Sequence, residues 1–229
     1  MRPYRCARFC AVAYLDYFRP DIGIPTTDMD YEAILESARR EAGAEFVAAF
    51  ARELAYEWCE IYEAMSERTT NIVRFQCGTF EYLYDDYASL EATGRVPYDP
   101  VTEARLVAVS GRSLFQEKAR DDFRLKGWVG ATEATFGREW DKGHFIAHSI
   151  GGAVDRAEVN VFVQLRALNR GWSEAGKRFR EMEAYCETNP GTFCFNRPIY
   201  DDQAARPAFF EFGLLKVGGE LWMERFANR

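Results

Sequence analysis

Trp140-Asp141-Lys142-Gly143-His144-Phe145-Ile146-Ala147-His148-Ser149-Ile150-Gly151-Gly152 contains both histidines of the 229-residue chain. Phe145, Ile146 and Ile150 before Gly151-Gly152 suit a strand over 143–149 closed by a turn, with His144 and His148 on one face. Histidines four apart also fit two metal ligands on one face of a helix. A strand pair of ligands would need further partners, and no third histidine exists. A loop over 151–158 and a second strand over 159–164 follow. Asn169 then lies near the start of a helix carrying Trp172, Phe179, Met182 and Tyr185.

Outward from this stretch, Arg105–Ser110 reads as a strand turned by Gly111, followed by polar sequence with Arg112, Lys118, Arg120, Arg124 and Lys126. Residues 192–199 read as a strand, and 209–215 with 220–226 as a hairpin around Gly218-Gly219. Residues 101–229 are therefore expected to form an α+β arrangement of strands around one central helix. Val96-Pro97-Tyr98-Asp99-Pro100 breaks regular structure and marks the expected boundary with an N-terminal region. In that region, apolar residues step by three and four from Ile34 to Met65, predicting amphipathic helix broken at Gly43 and capped by Asp30. Residues 71–78 read as a short strand, and 79–93 as a second helix stopped by Gly94.

The charge is uneven. Residues 1–100 carry ten arginines and no lysine against eighteen carboxylates, a net of −8, whereas 101–229 sum to +1. The simpler reading of the acidic helices is a solvated outer face, the alternative a surface for a protein partner or inhibitor. Overall acidity opposes general nucleic-acid binding but leaves room for a local basic cleft. No C-x-x-C pair occurs among Cys6, Cys10, Cys59, Cys77, Cys186 and Cys194, so a zinc site is poorly supported and buried free thiols are expected. Cys186 and Cys194 flank a turn that a disulfide would close in an exported protein. The apolar run 9–15 is short, quickly charged and lacks a cleavage site, and nothing approaches about 18 uninterrupted apolar residues. The expectation is a cytoplasmic protein without a membrane span.

The central residues suit phosphodiester hydrolysis, which needs a base for water, a cation for developing charge and donors for the remaining oxygens. A neutral imidazole titrating near about 6.5 fits the first role, which His144 would take beside the permissive Gly143. Asn169 fits the second, since hydrated Mg²⁺ needs few protein ligands. Arginines and lysines of the 105–142 region fit the third.

Asp141-Lys142-Gly143-His144, then Asn160-x-x-x-Gln164, then Leu168-Asn169-Arg170-Gly171-Trp172 resembles the DNA/RNA non-specific endonuclease family, which has a ββα-metal core and a D-R-G-H motif. The longer pattern is similar to the branch found as bacterial toxin domains, for which export needs no signal peptide. The likeness is firm over these motifs and loose, by strand order, over 101–229. It implies a ββα-metal core with an antiparallel sheet around a central helix, joined to a helical N-terminal region. It further implies a Mg²⁺-dependent hydrolase of DNA and/or RNA, with Mn²⁺ as a substitute. His144 is implied as general base and Asn169 as the Mg²⁺ ligand. Asn160 would orient His144 or the metal waters, with Gln164 and Arg170 near the substrate. Asp141 would hold the motif loop. His148 reads from its own position as a satisfied strand histidine near the site, the alternative being a direct part in catalysis.

Lys142 departs from the family's arginine, keeping the charge but losing the bidentate fork. The family's helical glutamate comes sooner after the tryptophan. Adding whole turns, about seven residues, selects Glu183, with Glu181 as fallback; both also fit surface charges. Arg112 is a further phosphate candidate. Against the non-specific nuclease stand a selective nuclease and a nuclease-derived fold that binds nucleic acid or protein without turnover, the latter motivated by the net acidity and Lys142.

Overall fold

Asp30 starts the first helix as its spacing predicts: its carboxylate accepts the Ala33 amide at 2.9 Å, and α1 runs Tyr31–Ala42. The computed structural model describes residues 4–5, 28–115, 136–153 and 157–229. A two-residue strand β1 (Tyr4–Arg5) precedes α1. Gly43, at φ 52°, ends α1, and a 3₁₀ turn (Gly43–Glu45) leads into α2 (Phe46–Met65). The apolar steps of three and four bury Leu35 on the inner face of α1 and Phe50, Leu54 and Trp58 on that of α2.

Strand β2 (Ile72–Cys77) forms where expected, but residues 79–93 depart from the expected helix. Phe80–Asp85 is strand β3, and only Tyr87–Ala92, capped by Asp86, is helical as α3. The reason is a tight turn: Gly78 at φ 61° brings Cys77 opposite Phe80, so β3 folds back on β2. Phe80 and Tyr82 then point into one core and Leu83 into another. Aromatic residues gain more on this pleated surface than on a short helix.

Strand β4 (Arg105–Arg112) pairs with β3 from Phe80↔Gly111 to Asp85↔Arg105. The boundary expected near residue 100 therefore falls between adjacent strands of one sheet. The excursion after β4 contains β5 (Trp140–His144), a short helix α4 (Ala157–Asn160), β6 (Val161–Leu165), α5 (Arg166–Asn169) and α6 (Glu174–Thr188). It is closed at its neck by two hydrogen bonds, Ser113 N to Thr192 O at 2.9 Å and Gly191 N to Ser113 O at 2.8 Å. Strands β7 (Phe193–Ile199), β8 (Phe209–Leu215) and β9 (Leu221–Ala227) complete the sheet close to their expected limits.

The sheet is antiparallel throughout, in the order β1-β2-β3-β4-β7-β8-β9, and β5-β6 is a separate antiparallel pair. The fold is α+β in three layers. On one face of the sheet, α1 and α2 bury Leu54 and Trp58 against Val107, Phe193 and Phe195. On the other, β5-β6 and α6 bury Phe145, Phe162, Phe179 and Met182 against Val109, Phe210 and Phe212. Strand alternation sorts side chains between the layers. Phe195 and Glu211 face the helical layer, while Cys194, Asn196 and Phe210 face the hairpin layer. Gly213 makes room for the Phe195 ring, whose Cζ would lie 2.1 Å from a Cβ there.

Cys186 on α6 and Cys194 on β7 are buried free thiols rather than the disulfide considered from sequence. Their mutual contact, then burial, push the Cys194 thiol well up. Cys77 is also a free thiol, and Cys6 and Cys10 lie outside the described residues. Among the described residues, no helix is long and apolar enough to cross a membrane.

Candidate active site

The β5-β6 pair is in register from Trp140↔Leu165 to His144↔Val161. Alternation puts Lys142 and His144 on one face of β5, and Asp141 and Gly143 on the other. Position 143 must be glycine, since a Cβ there would stand 1.9 Å from Oε1 of Gln164. Gln164, a candidate for substrate contact, is fully buried beneath Gly143, and neither end of its carboxamide has a hydrogen-bond partner.

Strand β5 stops at His144, so the expected strand to Ser149 does not form, and His148 instead begins a 3₁₀ turn (His148–Ile150). Asn160 causes the break. Its Oδ1 accepts from Ile146 N at 3.0 Å, and its Nδ2 donates to Ile146 O and Ala153 O, both at 2.9 Å. Its backbone carbonyl also accepts from Phe145 N at 2.9 Å. One fully buried side chain thus replaces the next rungs of the ladder and clasps the loop that follows His144. The loop turns at Gly151 (φ 100°), and Gly152 lies so close to it that a Cβ would meet Ile146 O at 1.9 Å. Asn196 secures the same loop from the sheet by donating to Phe145 O at 2.9 Å. Its Oδ1 and the Nδ1 of His148 are buried without hydrogen-bond partners.

Asp141 organises the other face. Its Oδ1 accepts from Arg166 Nε at 2.9 Å and from an Arg170 terminal nitrogen at 3.0 Å. Its Oδ2 accepts from Arg170 Nε at 2.6 Å and Asn169 Nδ2 at 3.3 Å. Burial raises this carboxyl's pKa, but the bonds from Arg170, Arg166 and Asn169 outweigh it and hold the group below the usual range. An ionised carboxylate only accepts, so the atom of Asn169 facing it is the amide nitrogen. Oδ1 of Asn169 therefore does not face the carboxylate, and among the described residues it has no hydrogen-bond partner. Asn169 ends α5 rather than starting a helix, and Ser173 caps α6 by accepting from Gly176 N at 3.0 Å. Trp172 is left in the link, 64% exposed, with the Arg170 guanidinium 5.2 Å from its ring.

Gly176 lets α6 pass close to α5: a Cβ would lie 2.5 Å from Ala167 O and 2.8 Å from Leu168 O. One turn on, Arg180 lies against Gly171 and donates to Glu183 at 2.7 Å. Glu183 is buried, whereas Glu181 is exposed. Burial raises the Glu183 carboxyl to about 7 against the opposing pull of Arg180. Its folded form holds a proton that the unfolded chain releases, so stability falls as pH rises from the ordinary carboxylate range to about 7. Glu183→Gln is expected to raise stability at pH 8 by about 1–3 kcal/mol and to change it little near pH 4. Urea melts at both pH values test this, and equal effects at the two would refute it.

The hairpin and α5 thus join Asp141, Asn169 and Arg170 by direct contact, with Lys142 and His144 on the other face of β5, Gln164 beneath Gly143 and Asn160 on the loop after His144. Arg112 is not among them, since its guanidinium donates to Gly191 O at 3.0 Å near the neck. Lys118, Arg120, Arg124 and Lys126 lie outside the described residues. Sequence reading missed Arg166, although its spacing of four from Arg170 in a helix was the available signal.

No family model matches the chain, and no curated protein matches it. The chain is similar to a solved structure described as "Structure of Sda1 nuclease with bound zinc ion", with 16% identity over 74% of this chain and 81% of that one. The TM-score is 0.35, too low for the likeness to carry an argument.

Proposed function

We propose that the chain is a divalent-metal-dependent endonuclease hydrolysing phosphodiester bonds of DNA and/or RNA with little sequence preference. The observation that carries the reading is the orientation of Asn169, whose amide is fixed on Asp141 with Oδ1 left for a hard cation. Among the described residues no group of three or more His, Cys, Asp or Glu side chains could hold a metal. Few protein ligands and retained waters suit Mg²⁺, with Mn²⁺ as a substitute, and Asn169 would hold the ion. Such an ion would supply charge neutralisation at the phosphoryl oxygens.

The remaining roles fall to this chain's side chains. The His144 imidazole takes the proton as water oxygen attacks phosphorus and the P–O bond to the leaving oxygen breaks. Arg170, bound to Asp141 through two nitrogens and half exposed, keeps its third nitrogen for a phosphate oxygen. Lys142 shares the His144 face of β5 and supplies positive charge there. Asn160 acts through the loop it clasps and is a positioning residue. Glu183, through Arg180, steadies the 169–172 turn.

Purified chain should cut both plasmid and RNA in Mg²⁺ or Mn²⁺ and stop on adding EDTA. Asn169→Ala is expected to lower cleavage about 10- to 100-fold and to shift the Mg²⁺ dependence to higher concentration. Cleavage that is indifferent to EDTA, or absent with every divalent metal tried, would sink the reading.

A further inference from the structure

Arg105 opens β4 on the side that faces α2, across the sheet from the β5-β6 pair. It is only 5% exposed. A buried guanidinium is stable when a carboxylate answers its charge, yet among the described residues none touches it. Its Nε donates to the Tyr62 hydroxyl at 2.8 Å, Nη1 donates to the carbonyls of Asp202 and Ala204, and among the described residues Nη2 has no acceptor. The Tyr200 ring lies 4.2 Å from its guanidinium carbon.

The carboxylates of this layer are committed elsewhere. Asp85 accepts from Arg68 at 2.7 Å and is linked to Arg105 only through the Tyr62 hydroxyl. Glu211 accepts from Arg197 at 3.0 Å, from Arg225 and from the Tyr31 hydroxyl. Asp85 thus answers Arg68, and Glu211 answers Arg197 and Arg225, while Arg105 meets a carboxylate only through Tyr62. Asp28, the further partner of Arg225, is exposed to solvent screening.

Arg105 also lines an open cleft between α2, β4 and the end of β7. Ser66 lines it too, and the Ser66 Oγ is buried without a hydrogen-bond partner. Trp58, Ile61 and Val107 give it apolar walls. Arg105 Nη2 and Ser66 Oγ, neither with an acceptor among the described residues, therefore stand at the same cleft beside an apolar surface.

We propose that this cleft binds a small organic carboxylate, its oxygens on Arg105 Nη2 and Ser66 Oγ and its apolar stem against Trp58, Ile61 and Val107. The site lies on the opposite face of the sheet from the candidate nuclease site and does not depend on that reading. The test uses the full chain, with benzoate, hexanoate, acetate and inorganic phosphate added at constant ionic strength, read by thermal melting and calorimetry. Benzoate or hexanoate should bind saturably and raise Tm by about 5–10 °C at a hundred times Kd, with acetate weaker for want of a stem. Ser66→Ala should weaken binding about 5- to 15-fold. Arg105→Gln also releases Tyr62 and the 202–204 loop and so risks misfolding. Ile61→Trp, which plugs the half-buried rim without touching the polar network, should abolish binding at unchanged fold. Absence of saturable binding by any carboxylate, binding unaffected by both Ser66→Ala and Ile61→Trp, or tighter binding of phosphate than of benzoate would each overturn the assignment.

Discussion

His144→Ala is expected to lower plasmid and RNA cleavage by about 10²- to 10⁴-fold, the usual contribution of a positioned general base. The fold should survive the change. His144 is the last residue of β5 and half-buried, and the clasp on the following loop is made by Asn160, whose hydrogen bonds use only backbone groups of other residues. The melting temperature should therefore move by a few degrees at most, while turnover collapses. Added imidazole should restore part of the activity by supplying the missing base. Retention of more than a tenth of the wild-type rate would remove His144 from the mechanism.

Asn160→Ala should give the reverse pattern, with stability falling first. The substitution strips partners from three buried backbone groups, Ile146 N–H, Ile146 C=O and Ala153 C=O. Each such loss costs about 1–3 kcal/mol, and because they share one site the sum should be about 3–6 kcal/mol. For a chain of this size that lowers Tm by on the order of 10 °C. Activity should drop too, because the loop between His144 and Gly151 loses its anchor. Partial recovery in the cold or with a stabilising co-solvent would mark the loss as conformational. Full stability with lost turnover would instead assign Asn160 a direct role in the chemistry.

The sequence was most legible where one periodicity had no rival. The apolar steps of α1 and α2, interrupted at Gly43, and the alternation of β8 and β9 around Gly218-Gly219 could each be read in only one way. Phe80-Glu81-Tyr82-Leu83-Tyr84 satisfies both helical and strand spacing, and only pairing with β2 and β4 decides between them. The same pairing carries the sheet across residue 100, which a local break at Pro97 and Pro100 could not reveal. In the site, residue identities were visible but side-chain directions were not. Asn160 turns inward to backbone, Gln164 is covered by the hairpin, and Arg112 reaches the neck, and each outcome depends on contacts distant in sequence. The setting of Arg105 was equally hidden, because Tyr62, Ser66, Asp202 and Ala204 are spread along the chain and meet it only in the folded protein.

The closed neck at Ser113 and Thr192 makes the unit bearing the candidate site an excursion between two neighbouring strands. The chain leaves the sheet at Ser113 and rejoins it at Thr192, so β4 and β7 adjoin as if nothing lay between them. On a ribosome, β4 emerges eighty residues before its partner β7 and remains an open edge throughout that interval. The hairpin layer therefore emerges while half of the surface it will pack against is still unmade. Closure of the sheet and burial of the hairpin become one late event, so an incomplete chain has the Asp141–His144 motif without the floor that holds it in place.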